Sequence, residues 1–361
     1  MMSHDTYMQV AIDLASITHG QTSPNPLVGC IIVKNGEVVG MGAHLKAGME
    51  HAERHALAMA KEKAKGATLY CTLEPCSHTG RTSPCADAIV DAGVAKVIIA
   101  SDDPNPKVAG NGIKRLRDAG IEVISGVLKE KADELNHGFF YHVMNKKPFV
   151  TLKMATSIDG KIATKHNESK WITSEEARLD GHKLRHQHDA ILVGIETAIK
   201  DDPSLTTRLP EGGKNPIRVV LDRTLRISED AKVLNDDAPS IIFTTNDVSE
   251  QKVERVKSKT TLVIQLEELS IDAILHSLYK NNVTSVLIEG GGTIHDSFIR
   301  SGYFNQVIHY QAPLLIGGRE APSAVSGTGI EALNDAPRLK LVSVDQIGPD
   351  IKAVYMREEE R

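Results

Sequence analysis

Aromatic residues are scarce in this chain, 4% of 361 residues with the single tryptophan Trp171. Long apolar runs are missing as well. No stretch approaches the roughly 18 uninterrupted apolar residues that mark a membrane-spanning helix. Met1 to Val10 contains no basic segment leading into an apolar one. A secretion signal is therefore not expected, and the expected compartment is the cytoplasm. An excess of positive charge is also lacking. The net charge is −5, and the acidic and basic side chains of the first 147 residues cancel. Nucleic-acid and anionic-membrane surfaces are held through Lys and Arg, so neither partner is expected. Cysteine is confined to four positions, Cys30, Cys71, Cys76 and Cys85, all in the first quarter of the chain. In a reducing compartment, such clustering reads as metal binding or catalysis before disulfides.

What is present is ordinary globular composition, 41% hydrophobic and 25% charged. The length suggests two domains at roughly 100–200 residues each. Residues 6–18 have helical periodicity. Val28–Val33 reads as a strand, Asn35-Gly36 as a hairpin turn, and Glu37–Met41 as the returning strand. Helices are expected over 51–64, 84–92, 112–119 and 129–142, alternating with strands over 68–73, 96–100 and 121–125. This pattern predicts a layered α/β domain with a mixed sheet. Lys146-Lys147-Pro148 interrupts it, giving expected domains 1–147 and 148–361. The second alternation places strands at 149–154, 190–193, 218–221, 240–244, 261–264, 285–288 and 306–310. Helices fall at 174–186, 249–256, 271–280 and 293–301.

His51-Ala52-Glu53 opens a predicted helix, Pro75-Cys76 follows a strand, and Pro84-Cys85 opens the next helix. One imidazole and two thiolates leave the fourth position of a tetrahedral zinc open for water. Zinc lowers the pKa of that water toward neutrality. Glu53, two residues from the histidine, is placed to carry a proton from that water to a leaving amine. His/Cys/Cys ligation with a non-ligand Glu is the logic of zinc deaminases. A closed structural zinc would need a fourth ligand, for which Cys71, His55 and His78 are available. Eight residues separate Cys76 from Cys85, and that loop carries His78 and Arg81, donors suited to an anionic group.

The residues closely resemble the bifunctional riboflavin-biosynthesis deaminase–reductase family. In the first half the likeness rests on Ser23–Gly29, His51–Glu53, Thr72–His78 with the long loop to Cys85, Asp103–Pro106 and Gly110–Gly112. In the second it rests on Thr151–Ala163, Trp171–Ser174 and Glu289–Gly292, so it covers essentially the whole chain. The resemblance implies a cytidine-deaminase-like zinc domain followed by a dihydrofolate-reductase-like α/β domain. It implies hydrolytic deamination of 2,5-diamino-6-ribosylamino-4(3H)-pyrimidinone 5′-phosphate, then NADPH-dependent reduction of the ribosyl chain to ribityl. His51, Cys76 and Cys85 are then the zinc ligands and Glu53 the proton shuttle. Asn25, His44, His78, Arg81 and Asn105 are candidates for ring or phosphate contacts.

Glu289-Gly290-Gly291-Gly292 alone reads as a tight strand-to-helix turn and lacks the dinucleotide fingerprint of a Rossmann fold. Within the resemblance, NADP contacts fall on Ala155, Trp171, Thr197, Asp201, Gly291, Gly292, Thr293, Ile294, His295, Asp296 and Ser297. Substrate contacts fall on Ser169, Arg185, Leu205, Arg208 and Glu289. Arg185 and Arg208 suit the 5′-phosphate, because guanidinium forks match phosphate oxygens. Lys153 and Asp201 are expected to assist hydride transfer, and Arg223 is a candidate partner for the cofactor's 2′-phosphate. A homo-oligomer is implied. The competing readings are a nucleobase or tRNA deaminase with an unrelated second domain, and a structural-zinc module tethered to a ligand-binding domain.

Overall fold

The computed structural model describes residues 2–77, 84–105 and 109–358. It divides into two compact units, Met1–Lys146 and Lys147–Arg361. The first unit contains α1 (His4–Ser16), β1 (Gly29–Lys34), β2 (Glu37–Ala43), α2 (Ala52–Ala60), β3 (Thr68–Leu73) and α3 (Cys85–Asp91). These are followed by β4 (Lys96–Ser101), α4 (Asn111–Asp118), β5 (Glu122–Ser125), α5 (Lys129–Leu135) and α6 (His137–Asn145). The strand order is β2-β1-β3-β4-β5. β1 runs antiparallel to β2 and β3, whereas β3, β4 and β5 are parallel.

Strand alternation builds two cores, one on each face of this sheet. Cys30 and Ile32 pack with Ala52, Ala56 and Ala60 of α2, while Ile31 and Val33 pack with Tyr7, Met8 and Ala11 of α1. The alanine stripe lets α2 lie flush on the hairpin. A Cβ at Gly42 would meet the Ala52 carbonyl and the His55 Cβ. This close approach fixes the first turn of α2, where His51 and Glu53 stand.

The predicted single helix over 129–142 is two helices, broken at Asn136. That side chain accepts the Leu27 N–H at 2.8 Å and donates to the Leu27 carbonyl at 2.9 Å. A tertiary contact across 109 residues thus decides a local boundary. The helix expected over 51–64 likewise stops at Ala60, with a 3₁₀ turn over Lys61–Ala64.

The second unit contains β6 (Phe149–Ser157), α7 (Glu175–Gln187), β7 (Ala190–Gly194), α8 (Ile195–Asp201), β8 (Ile217–Leu221), β9 (Ser240–Thr245) and α9 (Glu250–Val256). Next come β10 (Thr261–Leu266), α10 (Ile271–Lys280), β11 (Ser285–Ile288), α11 (Gly292–Ser301), β12 (Gln306–Ala312), β13 (Leu339–Ile347) and β14 (Asp350–Arg357). They form a nine-stranded sheet ordered β10-β9-β8-β7-β11-β6-β12-β14-β13. It is parallel from β10 through β12, and β14 and β13 close it antiparallel. Parallel strands are covered on both faces, so their residues split between two cores. Ala190 and Leu192 face one core, Ile191 and Val193 the other. Ser174 and Ser270 accept the N–H three residues on and so start α7 and α10.

Candidate active sites

In the first unit the close packing of α2 on the hairpin, the end of β3 and the start of α3 bring His51, Cys76 and Cys85 together. Their ligand atoms lie within 4.8 Å of one another. His51 Nδ1 is 3.6 Å from Cys76 Sγ and 3.3 Å from Cys85 Sγ. Tetrahedral zinc at ordinary Zn–N and Zn–S lengths requires about 3.5 Å between such atoms. The donor set therefore fits zinc. The Cys85 thiol donates to Cys76, and that contact, against burial and with help from His51, pulls Cys76 down to about 4. The remaining thiol of the pair is pushed up by the first.

Glu53 is buried, 3% exposed, and its Oε2 has no hydrogen-bond partner among the described residues. Burial raises its pKa, and Cys76 adds to the rise. The carboxylate faces a 240 Å³ pocket lined by Asn25, His44, His51, Glu53, Cys76, Asn105 and Phe139 among others. Three expected contact residues, Asn25, His44 and Asn105, thus share the pocket with the metal cluster. His44 Nδ1 lies 3.1 Å from the Glu50 carbonyl, so it must be the protonated nitrogen. Nε2 then accepts from Asn25 Nδ2 at 3.0 Å. Both ring nitrogens are engaged, and His44 orients the Asn25 amide. His78 and Arg81 lie outside the described residues. Cys71 pairs with Cys30 inside the sheet, and both are fully buried.

Glu74 and Phe139 line this pocket without having been singled out from sequence. Glu74 is a buried anchor. Its Oε1 accepts from the Gly112 and Ile113 N–H groups at 2.9 and 3.1 Å, and its Oε2 from Gly110 at 2.9 Å. A carboxylate at the start of α4 is favoured by the helix dipole. The signal was Glu74 itself, one residue before Pro75-Cys76.

In the second unit a charged cluster joins β6, α7, the segment after α8 and the turn after β11. Glu289 receives Arg185 through two bonds, Nε to Oε1 at 2.8 Å and Nη2 to Oε2 at 2.9 Å. Arg185 also donates to the Thr206 carbonyl at 3.0 Å. Against burial, Arg185 and Lys153 hold the Glu289 carboxyl down at about 2. Burial pushes the Lys153 ammonium down, opposed by Glu289 and reinforced by Arg185. Lys153, Arg185, Arg208 and Glu289 are thus brought into one electrostatic neighbourhood. Asp201 stands exposed at the end of α8, with no hydrogen bond or ion pair to Lys153 or Glu289 among the described residues.

The three glycines at α11 differ in what they serve. A Cβ at Gly290 would press Ile294 at 2.6 Å, and one at Gly292 would meet the Ser326 hydroxyl and the Ser323 carbonyl. At Gly291 a Cβ would meet nothing closer than the Thr197 Oγ1 at 4.0 Å, and the backbone φ is −71°. Neither packing nor conformation demands glycine there. The space beside Thr197 at the helix start is open. Backbone N–H groups at a helix start suit a phosphate, so the residues fit the pyrophosphate of a nicotinamide dinucleotide. Further along the expected run, the side chains are engaged with the protein itself. Ile294 packs on Gly194, His295 Nδ1 bonds the Ala324 carbonyl, Asp296 pairs with Arg300, and Ser297 donates to Thr293.

Trp171 is 67% exposed, with the Arg178 guanidinium 4.5 Å from its ring centre. It shares a 580 Å³ cavity with Ser169, Gly317 and Gly318. Ala155 is half-buried on β6. Leu205 is 3% exposed and belongs to the core, so its side chain offers a ligand little. The Arg223 side chain is exposed, and its carbonyl accepts from the Thr244 and Thr245 hydroxyls.

Residues 1–101 match the model of the cytidine and deoxycytidylate deaminase zinc-binding region, and residues 148–353 match the RibD C-terminal domain. Together with the geometry, these matches define a two-domain enzyme, a zinc-dependent deaminase followed by an NADPH-dependent, dihydrofolate-reductase-like domain. The riboflavin biosynthesis protein RibD of Bacillus amyloliquefaciens is 50% identical, covering 96% of this chain and 94% of its own. That of Aquifex aeolicus is 43% identical over 97% of this chain and 98% of its own. The solved RibD of Acinetobacter baumannii superposes with a TM-score of 0.90 at 38% identity, covering 98% of this chain and 99% of its own. A diaminohydroxyphosphoribosylaminopyrimidine deaminase/5-amino-6-(5-phosphoribosylamino)uracil reductase from Thermotoga maritima does so at 0.89 and 37%, covering 98% of each. The chain belongs to the RibD family, the bifunctional deaminase–reductases of riboflavin biosynthesis.

Proposed function

We propose that the first unit deaminates 2,5-diamino-6-ribosylamino-4(3H)-pyrimidinone 5′-phosphate and that the second reduces the ribosyl chain of the product. The convergence of His51, Cys76 and Cys85 beside the unpartnered Glu53 oxygen supports this reading most strongly. His51, Cys76 and Cys85 hold zinc, which when bound supplies the Lewis acidity that brings a water pKa toward 7. Glu53 Oε2 takes the water proton and returns it to the departing amine. Asn25, held by His44, and Asn105 orient the pyrimidine. Phe139 gives the ring an apolar wall.

In the second unit, NADPH when bound supplies the hydride. The start of α11 and Thr197 seat its phosphates, and Trp171 shields it. Lys153 gives a proton to the sugar oxygen as the ribose opens, and Glu289 holds Lys153 charged. Arg185 and Arg208 hold the 5′-phosphate. The resemblance supports Ala155 and Asp201 as cofactor contacts and Ser169 and Leu205 as substrate contacts, and Arg223 is a candidate partner for the cofactor's 2′-phosphate.

Ammonia release from the diaminopyrimidine ribosyl phosphate by zinc-loaded protein without NADPH tests the first half. Adding NADPH should then consume it in step with product. Absence of ammonia would overturn the substrate assignment. The same proposal includes a cytoplasmic homo-oligomer, so this preparation should sediment as a multiple of 39.2 kDa. Exposed Leu341 and Val344 on edge strand β13 favour association.

Gly291→Ala should raise the KM for NADPH about tenfold, a loss within the 1–3 kcal/mol range of an added methyl that meets a close neighbour, and leave the melting temperature unchanged. Gly292→Ala should lower the melting temperature, because its methyl meets Ser323 and Ser326. Equal effects of the two on melting would remove the cofactor from Gly291.

A further inference from the structure

One titratable side chain of the reductase cluster remains without a role. His182 lies on α7 one turn before Arg185, so the two share a helix face. Arg185 faces it from its own helix. Arg208 and the Thr206 carbonyl face it from the segment after α8, and Glu289 from the turn after β11. Lys153 on β6 and His295 on α11 stand close to Glu289. Asp180, also on α7, is engaged by Tyr310 and Lys352 instead. The His182 Nδ1 is buried and makes no hydrogen bond among the described residues.

Both Glu289 oxygens are taken by Arg185, and Arg208 forms no ion pair among the described residues. Three cations, Lys153, Arg185 and Arg208, therefore face one carboxylate. A half-buried positive surplus of that kind is matched by a dianion.

We propose that His182 is the third member of the anion site formed with Arg185 and Arg208, taking up a proton when the substrate's 5′-phosphate binds and donating Nδ1–H to a phosphate oxygen. The inference rests on the reading that the two arginines hold that phosphate. Burial, with Arg185 and Arg208, keeps the free ring down at about 4, so it is neutral at pH 7. A dianion within hydrogen-bond reach favours the imidazolium and raises the ring by about 1–3 pKa units from that depressed value. The pKa is thus low in the free protein and raised in the complex. Binding strengthens as pH falls through the value in the complex and weakens as pH rises through it. The site discriminates for phosphate over an unphosphorylated riboside by this coupled protonation.

Calorimetric titration of the full chain with ribose 5-phosphate, in two buffers of different ionisation enthalpy at pH 7, reads the proton directly. The wild type should take up as much as about half a proton per site. His182→Gln should bind about tenfold more weakly, the loss of one charge-assisted hydrogen bond. Its uptake should vanish, leaving only the small proton release of the phosphate itself, whose second pKa is about 6. Its reductase KM should rise and lose its pH slope, with kcat held, and ammonia release by the first unit should stay intact. His182→Lys should restore affinity without proton uptake. Wild-type uptake in His182→Gln would overturn the proposal. If Arg208→Ala binds ribose 5-phosphate as tightly as the wild type, the arginine reading itself fails. If Arg208→Ala binds weakly while His182→Gln is unchanged, only the histidine is wrong. No binding to wild type at millimolar ribose 5-phosphate overturns both.

Discussion

Glu53→Gln is expected to end ammonia release while zinc content and NADPH-dependent reduction of supplied deaminated pyrimidine persist. The amide has the same shape and keeps the first turn of α2 in place. It cannot accept and return a proton. Positioned acid–base catalysis contributes about 10²–10⁴-fold, so release should fall at least that far. The carboxylate is buried beside the His51, Cys76 and Cys85 cluster with one oxygen unpartnered, which leaves it little structural duty to lose. Metal analysis separates a lost shuttle from a lost site. Retained ammonia release would remove Glu53 from the chemistry, and loss of both activities would refute independent sites.

Lys153→Met should do the reverse. The thioether preserves the packing of the long stem on β6 and removes the ammonium. NADPH oxidation should fall about 10²–10⁴-fold, within the range of a lost general acid. NADPH should still quench or perturb Trp171 fluorescence, because the cofactor seat at α11 is untouched. The ammonium is not a simple surface charge. Burial works against it, and Glu289 works for it. Glu289 is itself held ionised by Arg185. Removing Lys153 leaves the Arg185–Glu289 pair intact, so stability should change little. Unchanged NADPH oxidation would remove Lys153 from the mechanism.

The cluster of His51, Cys76 and Cys85 was legible because each sits at a boundary that local chemistry marks: His51 and Cys85 at helix starts, Cys76 after a strand. Strands rich in Val and Ile were equally plain, and β3 and β11 have the bounds expected from sequence. The helix break at Asn136 was not legible, because Leu27 decides it from another part of the chain. The hairpin of β13 and β14 and the short α8 went unread. Leu339-Lys340-Leu341 does alternate, and Gly348-Pro349 marks a turn, but β13 lies at a sheet edge with most residues exposed. An exposed strand carries a weak hydrophobic pattern. Glu74 and His182 were missed for a related reason. A carboxylate that caps a remote helix, and an imidazole beside Arg185 on its own helix but also influenced by Arg208 and Glu289 from other segments, have no full signature within their own few residues. Gly291 shows the opposite case, a residue flagged by its motif whose difference from Gly290 and Gly292 shows only in the space around each.

The Glu74 anchor sets a rule for anyone exchanging loops to alter which heterocycle the deaminase accepts. The segment between β4 and α4 carries Asp103 and Asn105 into the pocket, and the start of α4 is moored to Glu74, which joins the end of β3 to Pro75-Cys76. A Cβ at Gly112 would strike the Pro75 carbonyl. A graft that replaces this segment and the first turn of α4 without Gly110 and Gly112 would misplace the amides that hold Glu74 and shift the backbone beside Cys76. Pocket shape and metal seat are therefore portable only as one cassette.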